Sequence, residues 1–289
     1  MNKQLRVYDM SKVQLTDAQI KAQIIARTQE SSKSKSTELF PTEIIPLPSQ
    51  GLVYPKDNPL STGEIEVRYM TAKDEDILTN QNYLKQGVAL DRLYESIVVG
   101  NGKGESVNIN DMIMGDRSAI MLAARILGYG PDYSIMVKHP TTGKELETVV
   151  DLNALTPKPL DVSLYSNSRE FKFTLPISKT DIVIRLLTAL EQKAIERDIK
   201  AQEKAGIAVR NTTTILKHIV VSVENETDPK YIAEFIDNSL LARDSLMLRS
   251  YVSDITPDYD LTITVDIPEE DYLETIPLPV DTTFFWPRS

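Results

Sequence analysis

The chain has 289 residues, a formal net charge of −10 and no cysteine. This length exceeds that of most single domains, so two domains are expected, each long enough to bury a core. The acidic charge disfavours nonspecific attraction to nucleic acid or to anionic membranes. No apolar run approaches the length of a membrane span, and the first residues do not resemble a secretory signal. The lack of cysteine excludes disulfides and thiolate metal sites.

Residues 1–40 are interpreted as an N-terminal arm and linker. A helical pattern runs from about residue 16 to residue 28, with Ile20 and Ile24 at helical spacing. A polar Ser/Lys-rich stretch at 30–37 follows and is typical of a flexible linker. A helix this short is not stable alone in water, so it either frays or docks onto something. Ile20 and Ile24 are therefore candidate partner-binding residues.

Residues 41–155 are predicted to form a first module with a proline-rich lead-in. Five prolines between residues 41 and 59 forbid helix and favour extended or turn backbone. Beyond them, alternating patterns and helix-start signals predict a strand, three helices and two strands, at about 63–69, 72–80, 90–99, 111–127, 134–138 and 146–152. The last two strands flank a Pro-Thr-Thr-Gly turn and predict a β-hairpin.

Residues 156–289 are predicted to form a second module, joined to the first by a proline-containing connector at 153–170. The same signals predict two strands, four helices and a strand, at about 171–175, 181–187, 188–204, 209–221, 229–236, 242–253 and 261–267. The predicted fold class is therefore α+β. It consists of two tandem pseudo-repeat modules, each a helical body with strands and a small β-hairpin.

The two modules share sequence. Residues 65–75 read IEVRYMTAKDE and residues 182–192 read IVIRLLTALEQ, with four identities at a shift of 117 residues. Residues 117–133 and 243–259 share six identities at a shift of 126, and two shorter matches keep the same order. Collinear matches of this kind indicate a tandem duplication. The charged helix at 188–204, the proline-rich lead-in and the C-terminal end belong to one copy each, so partner-specific contacts are expected there.

No catalytic residue is predicted. Asp132 and Asp258 occupy matching Pro-Asp-Tyr turns, where they could form an acid/base pair or, more plainly, cap the turns. His139 and His218 are the two histidines of the chain. Neither has partners in a recognisable triad order, so structural or surface roles are expected for both.

Charged residues also recur at the start of the third helix of each module. Asp116 precedes Arg117 in the first module, and Arg243 precedes Asp244 in the second. Each pair could form a local ion pair, or could be buried and hold the hairpin onto the helices. Exposed ion pairs contribute only about 0–1 kcal/mol, so the recurrence favours burial or a docking role.

The C-terminal segment Phe284-Phe285-Trp286-Pro287 is rich in aromatic residues. It contains two of the six phenylalanines and the only tryptophan. Aromatic residues near a terminus either close the core of the last hairpin or anchor a partner. Phe284, Phe285 and Trp286 are therefore candidate partner-binding residues.

Four segments resemble a known family: LPS-x-G-x-x-Y-P at 47–55, RYMTAKDED at 68–76, Gly-Asp-Arg at 115–117 and FFWP at 284–287. They are similar to the baseplate protein family of T4-like contractile-tailed phages, and the resemblance covers most of 41–289. It implies a non-enzymatic role as a baseplate hub subunit or a hub assembly protein. The implied partners are other baseplate hub or tail proteins. The implied places are the host cytoplasm during assembly and, if the chain is retained, the virion tail baseplate.

Members of such families carry CPxCG-type knuckles near the two hairpins. Here the corresponding positions read HPTTG at 139–143 and DIPEE at 266–270, which supply no thiolates. The resemblance therefore implies no structural zinc, and no other cofactor is expected. Two other functions remain open. One is a general peptide- or protein-binding adaptor, and the other is a hydrolase that uses an Asp/Glu pair.

Overall fold

The computed structural model describes residues 40–138, 143, 145–267, 272–280 and 284–285. The chain divides into two units, Met1–Phe40 and Pro41–Ser289. All the helices and strands given below belong to the second unit. The predicted arm helix with Ile20 and Ile24 lies outside the described residues.

Five strands and four α-helices are described in the first half of this unit. The strands are β1 (Thr42–Pro46), β2 (Glu64–Arg68), β3 (Val98–Gly100), β4 (Asp132–Lys138) and β5 (Glu145–Asp151). The helices are α1 (Ala72–Thr79), α2 (Gln81–Gln86), α3 (Ala89–Ile97) and α4 (Met114–Tyr129).

The second half, as described, again contains five strands and four α-helices. The strands are β6 (Glu170–Thr174), β7 (Asp181–Arg185), β8 (Val220–Val223), β9 (Thr262–Ile267) and β10 (Tyr272–Pro277). The helices are α5 (Ala189–Lys204), α6 (Asn211–Ile219), α7 (Pro229–Asn238) and α8 (Ala242–Ile255).

The two halves repeat one topology. Strands β1, β2 and β3 form an antiparallel sheet in that order, and β6, β7 and β8 form another. In each half a long helix, α4 or α8, comes between the sheet and an antiparallel hairpin, β4–β5 or β9–β10, and in the second half α7 precedes the long helix. The predicted α+β class is confirmed. The repeated order supports a tandem duplication, while the module boundary between 155 and 156 stays a prediction.

The matched strands β2 and β7 bury equivalent side chains. Ile65 and Val67 of β2 are buried, as are Ile182 and Ile184 of β7. The residues between them are exposed or half-buried, which is the alternation of a strand with one face against a core. Each buried aliphatic side chain stabilises the fold by roughly 1.5–3 kcal/mol. This shared core face explains why the sequence pattern of these strands recurs.

Two predicted helices end earlier than their apolar patterns indicate. Helix α3 ends at Ile97 and α6 ends at Ile219, and in both cases a run of valines follows. In the first half Val98 lies opposite Val67 of β2, and the second half repeats this pairing. β-branched residues favour extended backbone when a partner strand is present. That partner is distant in sequence, so local periodicity does not reveal it.

A buried arginine–carboxylate contact fixes the start of α1. Asp74 is fully buried, and its Oδ2 accepts hydrogen bonds from the main-chain N and the Oγ1 of Thr71, both at 2.8 Å. Arg68 of β2 donates to both oxygens of this carboxylate, at 2.8 and 2.9 Å. The Nε of Arg68 also donates to the main-chain O of Ser96 near the end of α3, at 3.1 Å. One arginine thus joins β2, α1 and α3.

The second half contains the equivalent contact at the start of α5. Glu191 accepts a hydrogen bond from the main-chain N of Thr188 at 2.8 Å. The Nε of Arg185 donates to the main-chain O of His218 at 3.0 Å and lies 3.3 Å from Oε1 of Glu191. Arg169 adds a further hydrogen bond to Glu191 at 2.8 Å. We call the two contacts, Arg68 with Asp74 and Arg185 with Glu191, the strand–helix latches.

The first strand–helix latch predicts a specific acid dependence of stability. Burial raises the pKa of Asp74, but hydrogen bonds from Arg68, Ser96 and Thr71 outweigh burial and lower this pKa to about 2. Because the folded pKa lies below the unfolded one, the carboxylate stabilises the fold above about pH 4. This stabilisation is lost as the pH falls toward 2. Its full size is about 2 kcal/mol.

Asp74→Asn should therefore lower the free energy of unfolding at neutral pH by about 2 kcal/mol or more, because it leaves a half-buried guanidinium without its counter-charge. Urea unfolding followed by circular dichroism at several pH values measures this. The variant should also lose stability less steeply than the wild type between pH 4 and 2. Asp76→Asn, an exposed change in the same helix, is the matched control. Equal losses in the two variants would contradict the role of the latch.

Candidate functional site

The carboxylate of Asp116, the third residue of α4, holds the proline-rich lead-in against the body. Asp116 is fully buried and accepts hydrogen bonds from the main-chain N of Ser49 at 2.9 Å and from its Oγ at 2.7 Å. The hydroxyl of Tyr54 donates to the same carboxylate at 2.6 Å and accepts from the main-chain N of Ile113 at 3.0 Å. Two of the segments that carry the family resemblance therefore form one hydrogen-bonded unit.

The start of α4 is tightly enclosed. Burial raises the pKa of Asp116 to about 6, hydrogen bonds from Tyr54 and Ser49 oppose the rise, and Asp258 adds to it. A Cβ atom on Gly115 would lie only 1.8 Å from the main-chain O of Pro257. Only glycine lets the backbone of α4 approach the second half this closely.

The second half holds its own loop in the same way. Asp244, the third residue of α8, is buried. It accepts hydrogen bonds from the main-chain N of Ile177 at 2.8 Å and of Ser178 at 3.0 Å, in the loop between β6 and β7. Asp116 and Asp244 are therefore structurally equivalent, at a shift of 128 residues rather than the 126 that matched letters indicate.

Of the two alternatives for these recurring charges, the local ion pair is not observed between Asp116 and Arg117 or between Arg243 and Asp244. Arg117 pairs with Asp91 of α3, while Asp116 binds the lead-in. Arg243 is exposed and does not occupy the place that Arg117 occupies in the first half. The alternative that these charges are buried and hold other segments is the one that the structure supports, for the two aspartates and for Arg117.

Tyr54→Phe should destabilise the fold by about 1–3 kcal/mol, because it removes one donor to a buried carboxylate and one acceptor of a buried main-chain N–H. Chemical denaturation at neutral pH measures the change. Tyr69→Phe is the control, since the hydroxyl of Tyr69 makes one exposed contact of 3.4 Å with Glu43. A Tyr54 variant as stable as the control would show that the lead-in is not held through this hydroxyl.

One of the two carboxylates considered for catalysis has a turn contact. Oδ1 of Asp258 accepts a hydrogen bond from the main-chain N of Tyr259 at 2.8 Å. Asp132 begins β4, and its main-chain O, not its carboxylate, accepts from Nη2 of Arg125 at 2.8 Å. The contact of Asp258 is that of a turn residue, the plainer of the two alternatives.

One of the two histidines, His218, lies among the described residues. Nε2 of His218 lies 2.9 Å from Oδ2 of Asp198 across the surfaces of α6 and α5. His139 lies outside the described residues. Among the residues that the structure describes, no group of three or more His, Asp or Glu side chains could hold a metal ion. Residues 139–142 and 268–271 are not part of that set.

Two of the candidate partner-binding residues lie in the core. Phe284 is 0% exposed and Phe285 is 4% exposed, and the ring of Phe284 packs edge-on against Tyr133 with centroids 5.1 Å apart. The main-chain O of Phe284 accepts a hydrogen bond from Nε of Arg125 at 2.7 Å. A buried ring offers no surface to a partner, so for these two residues the structure favours closure of the core. Trp286, like Ile20 and Ile24, lies outside the described residues.

Phe284→Ala should lower the free energy of unfolding by about 3 kcal/mol or more, because it opens a cavity against Tyr133. Val280→Ala, at a position that is 39% exposed, serves as the control and should cost much less. A Phe284 variant that unfolds at the same denaturant concentration as the wild type, yet loses partner binding, would favour the anchoring alternative instead.

A groove runs between three helices from both halves of the body. Helices α3 and α4 line it from the first half and α5 from the second, and its volume is about 870 Å³. We call it the helical groove. In it the charged helix of the second copy faces α3 and α4 of the first.

The floor of the helical groove is apolar and exposed. Leu90 of α3 is 38% exposed, Met114 of α4 is 43% exposed and Leu190 of α5 is 57% exposed. Beneath them Tyr94 and Met121 are buried. We call Leu90, Met114 and Leu190 the apolar floor.

One wall of the helical groove is basic. Lys193, Arg197, Lys200 and Lys204 recur every three or four residues of α5 and line the groove together. This spacing places them on one face of the helix. We call these four residues the basic wall. With Arg117, the lining contains five basic and two acidic side chains, in a chain whose net charge is −10.

A charged cluster closes the base of the helical groove and joins the two halves. Asp91 pairs with Arg117 and, through Oδ2, with Nζ of Lys193 at 3.0 Å. Burial raises the pKa of Asp91, but hydrogen bonds from Lys193 and Arg117 outweigh it and lower that pKa. The guanidinium of Arg117 lies 4.9 Å from the ring centre of Tyr94. Its Nε is buried and has no hydrogen-bond partner among the described residues.

The fold and its contacts define the class of the protein as a duplicated α+β body with an open helical groove. In the described residues no helix has both the length and the apolar character to cross a membrane. The carboxylates that duplication repeats hold loops and helix starts together.

Residues 52–271 match the family described as T4 bacteriophage base plate protein. The match spans more than half of the chain, so the chain belongs to this family. The resemblance inferred from the four sequence segments is confirmed at this level. No curated protein and no solved structure matches the chain.

Sequence reasoning located one wall of the helical groove but not the groove itself. The charged helix at 188–204 was expected to make partner-specific contacts because the first copy lacks it. The apolar floor comes from three helices that are distant in sequence, so no local pattern indicates it. The spacing of Lys193, Arg197, Lys200 and Lys204 was the available signal.

Proposed function

We propose that this protein is a non-enzymatic baseplate hub protein, either a structural component or an assembly factor of the hub. The observation that carries the proposal is the family match over residues 52–271. Its partners are then other baseplate hub or tail proteins. It acts in the host cytoplasm during assembly, and in the virion tail baseplate if it is retained there.

Three features of the body support a binding role rather than catalysis. The duplicated carboxylates Asp116 and Asp244 are occupied by loop main chain. The carboxylate of Asp258 is engaged by its own turn, and no observation on the described residues favours the hydrolase. The helical groove leaves Leu90, Met114 and Leu190 exposed. Within the described residues, no hydrogen bond or ion pair engages the charged ends of Arg197, Lys200 and Lys204. A general adaptor unrelated to phages has no support beyond that groove, which a hub protein would also use.

The two forms of the proposal, a structural component and an assembly factor, differ in whether the protein remains in the mature particle. A tagged full-length chain expressed during infection should co-purify with baseplate hub proteins from assembling cells. Mass spectrometry of purified mature particles then separates the alternatives. A hub component is present in the particles, whereas an assembly factor is found only with the intermediates. A chain that joins neither intermediates nor particles contradicts the hub proposal.

Contacts made by the unshared segments can be tested in the same experiment. Deleting residues 1–40 tests the arm with Ile20 and Ile24, which lies in a separate unit from the body. Trp286→Ala is the better test of the C-terminal end, because a deletion there would also remove Phe284 and Phe285 from the core. We expect both changes to weaken co-purification. Undiminished capture of hub proteins by both variants would remove the partner-binding role of these segments.

A further inference from the structure

We propose that the helical groove binds a single α-helical segment of a partner protein, one that is amphipathic and carries carboxylates along one edge. The proposal rests on the binding role proposed above, but not on the partner being a hub protein. It concerns α3, α4 and α5, whose side chains are described throughout.

The first argument is the exposure of the apolar floor. Leu90, Met114 and Leu190 come from three different helices and all face one groove. Large apolar side chains that are exposed singly need no explanation, but three that line one groove together with polar residues indicate an interaction site. The occupant should therefore present its own apolar side chains to this floor.

The charge of the basic wall is complementary to that of an acidic occupant. Of the two acidic residues that line the groove, Asp91 is already engaged by Arg117 and Lys193. No hydrogen bond or ion pair within the described part of the chain engages the charged ends of Arg197, Lys200 or Lys204. In a protein of net charge −10, three such cations on one helix face favour an acidic occupant. Carboxylates would form charge-assisted hydrogen bonds with them.

The length of the basic wall matches that of a short helix. From Lys193 to Lys204 the basic wall spans about 16 Å, since each residue of a helix rises about 1.5 Å. That is about three helical turns. A helix lying beside α5 would place apolar residues at every third or fourth position on the floor, and carboxylates at the adjacent positions would face the wall.

A single-stranded nucleic acid fits the groove less well than a helix. Such ligands bind through basic grooves combined with exposed aromatic rings on which bases stack. Tyr94 is the one aromatic residue among the described lining residues, and it is buried. The apolar floor therefore favours a protein segment, and nucleic acid becomes an outcome to test.

The experiment uses the full-length chain and a fluorescent helical peptide of about three turns. The peptide carries leucines along one face and glutamates on the flanking positions, and binding is followed by fluorescence anisotropy. A lysine-for-glutamate version of the peptide and a labelled single-stranded oligonucleotide are the comparison probes. The test variant is Arg197→Glu/Lys200→Glu/Lys204→Glu. The matched control, Lys73→Glu/Lys172→Glu/Lys230→Glu, makes the same charge change at exposed sites outside the groove.

We expect the test variant to bind the acidic peptide about tenfold or more weakly, while the control variant stays close to the wild type. Added salt should weaken wild-type binding. A second variant, Leu90→Ser/Leu190→Ser, removes apolar contacts from exposed positions without changing charge, and should also weaken binding. Circular dichroism and urea unfolding confirm that each variant is folded.

Four results would overturn the proposal. They are equal loss in the test and control variants, equal binding of the lysine peptide, tighter binding of the oligonucleotide through the same residues, and no measurable binding of the acidic peptide. Co-purification during infection separates this failure from that of the hub role. If the test variant joins hub intermediates as well as the wild type does, the groove proposal alone is contradicted. If the wild-type chain binds the peptide but joins no hub protein, the hub proposal alone is contradicted.

Discussion

The rest of the structure depends on the strand–helix latches, because each joins the middle strand of a three-stranded sheet to two of the helices beside it. In both halves an arginine on the second strand reaches a carboxylate in the first turn of the next helix. The same arginine reaches a carbonyl near the end of a later helix. A guanidinium suits this position, since its fork of donors can serve several acceptors at once. The helices that line the helical groove include α3 and α5, and each of them contacts one of the two latches.

Duplication explains what the halves share, and divergence explains what they offer to partners. The shared parts are the core strands, the strand–helix latches and the carboxylates at the third position of α4 and α8. The first half follows its latch with the two short helices α1 and α2, whereas the second has the single long helix α5. The extra turns of α5 supply the basic wall. The partner-facing surface therefore arises where one copy departs from the other.

Much of the fold could be predicted from local sequence, because most elements carry their own signals. Helix-start signals and apolar spacing predicted helices at about 72–80 and 188–204, close to the observed α1 and α5. Strands β3 and β8 were missed, since their valines extend only when β2 or β7 lies alongside. The equivalence of Asp116 and Asp244 was hidden by a chance match of arginines two residues out of register. The groove was missed because it exists only after the halves pack together.

The contact between Arg125 and the main chain of Phe284 spans 159 residues. It can form only after both residues have been synthesised. Until residue 284 has left the ribosome, the guanidinium of a buried arginine lacks one of its acceptors and the ring of Tyr133 lacks its cover. The first half therefore reaches its final packing only when the C-terminal residues are present. A chain cut short before residue 284 would lose contacts in its first half, so a truncation at one end of the sequence would weaken the other.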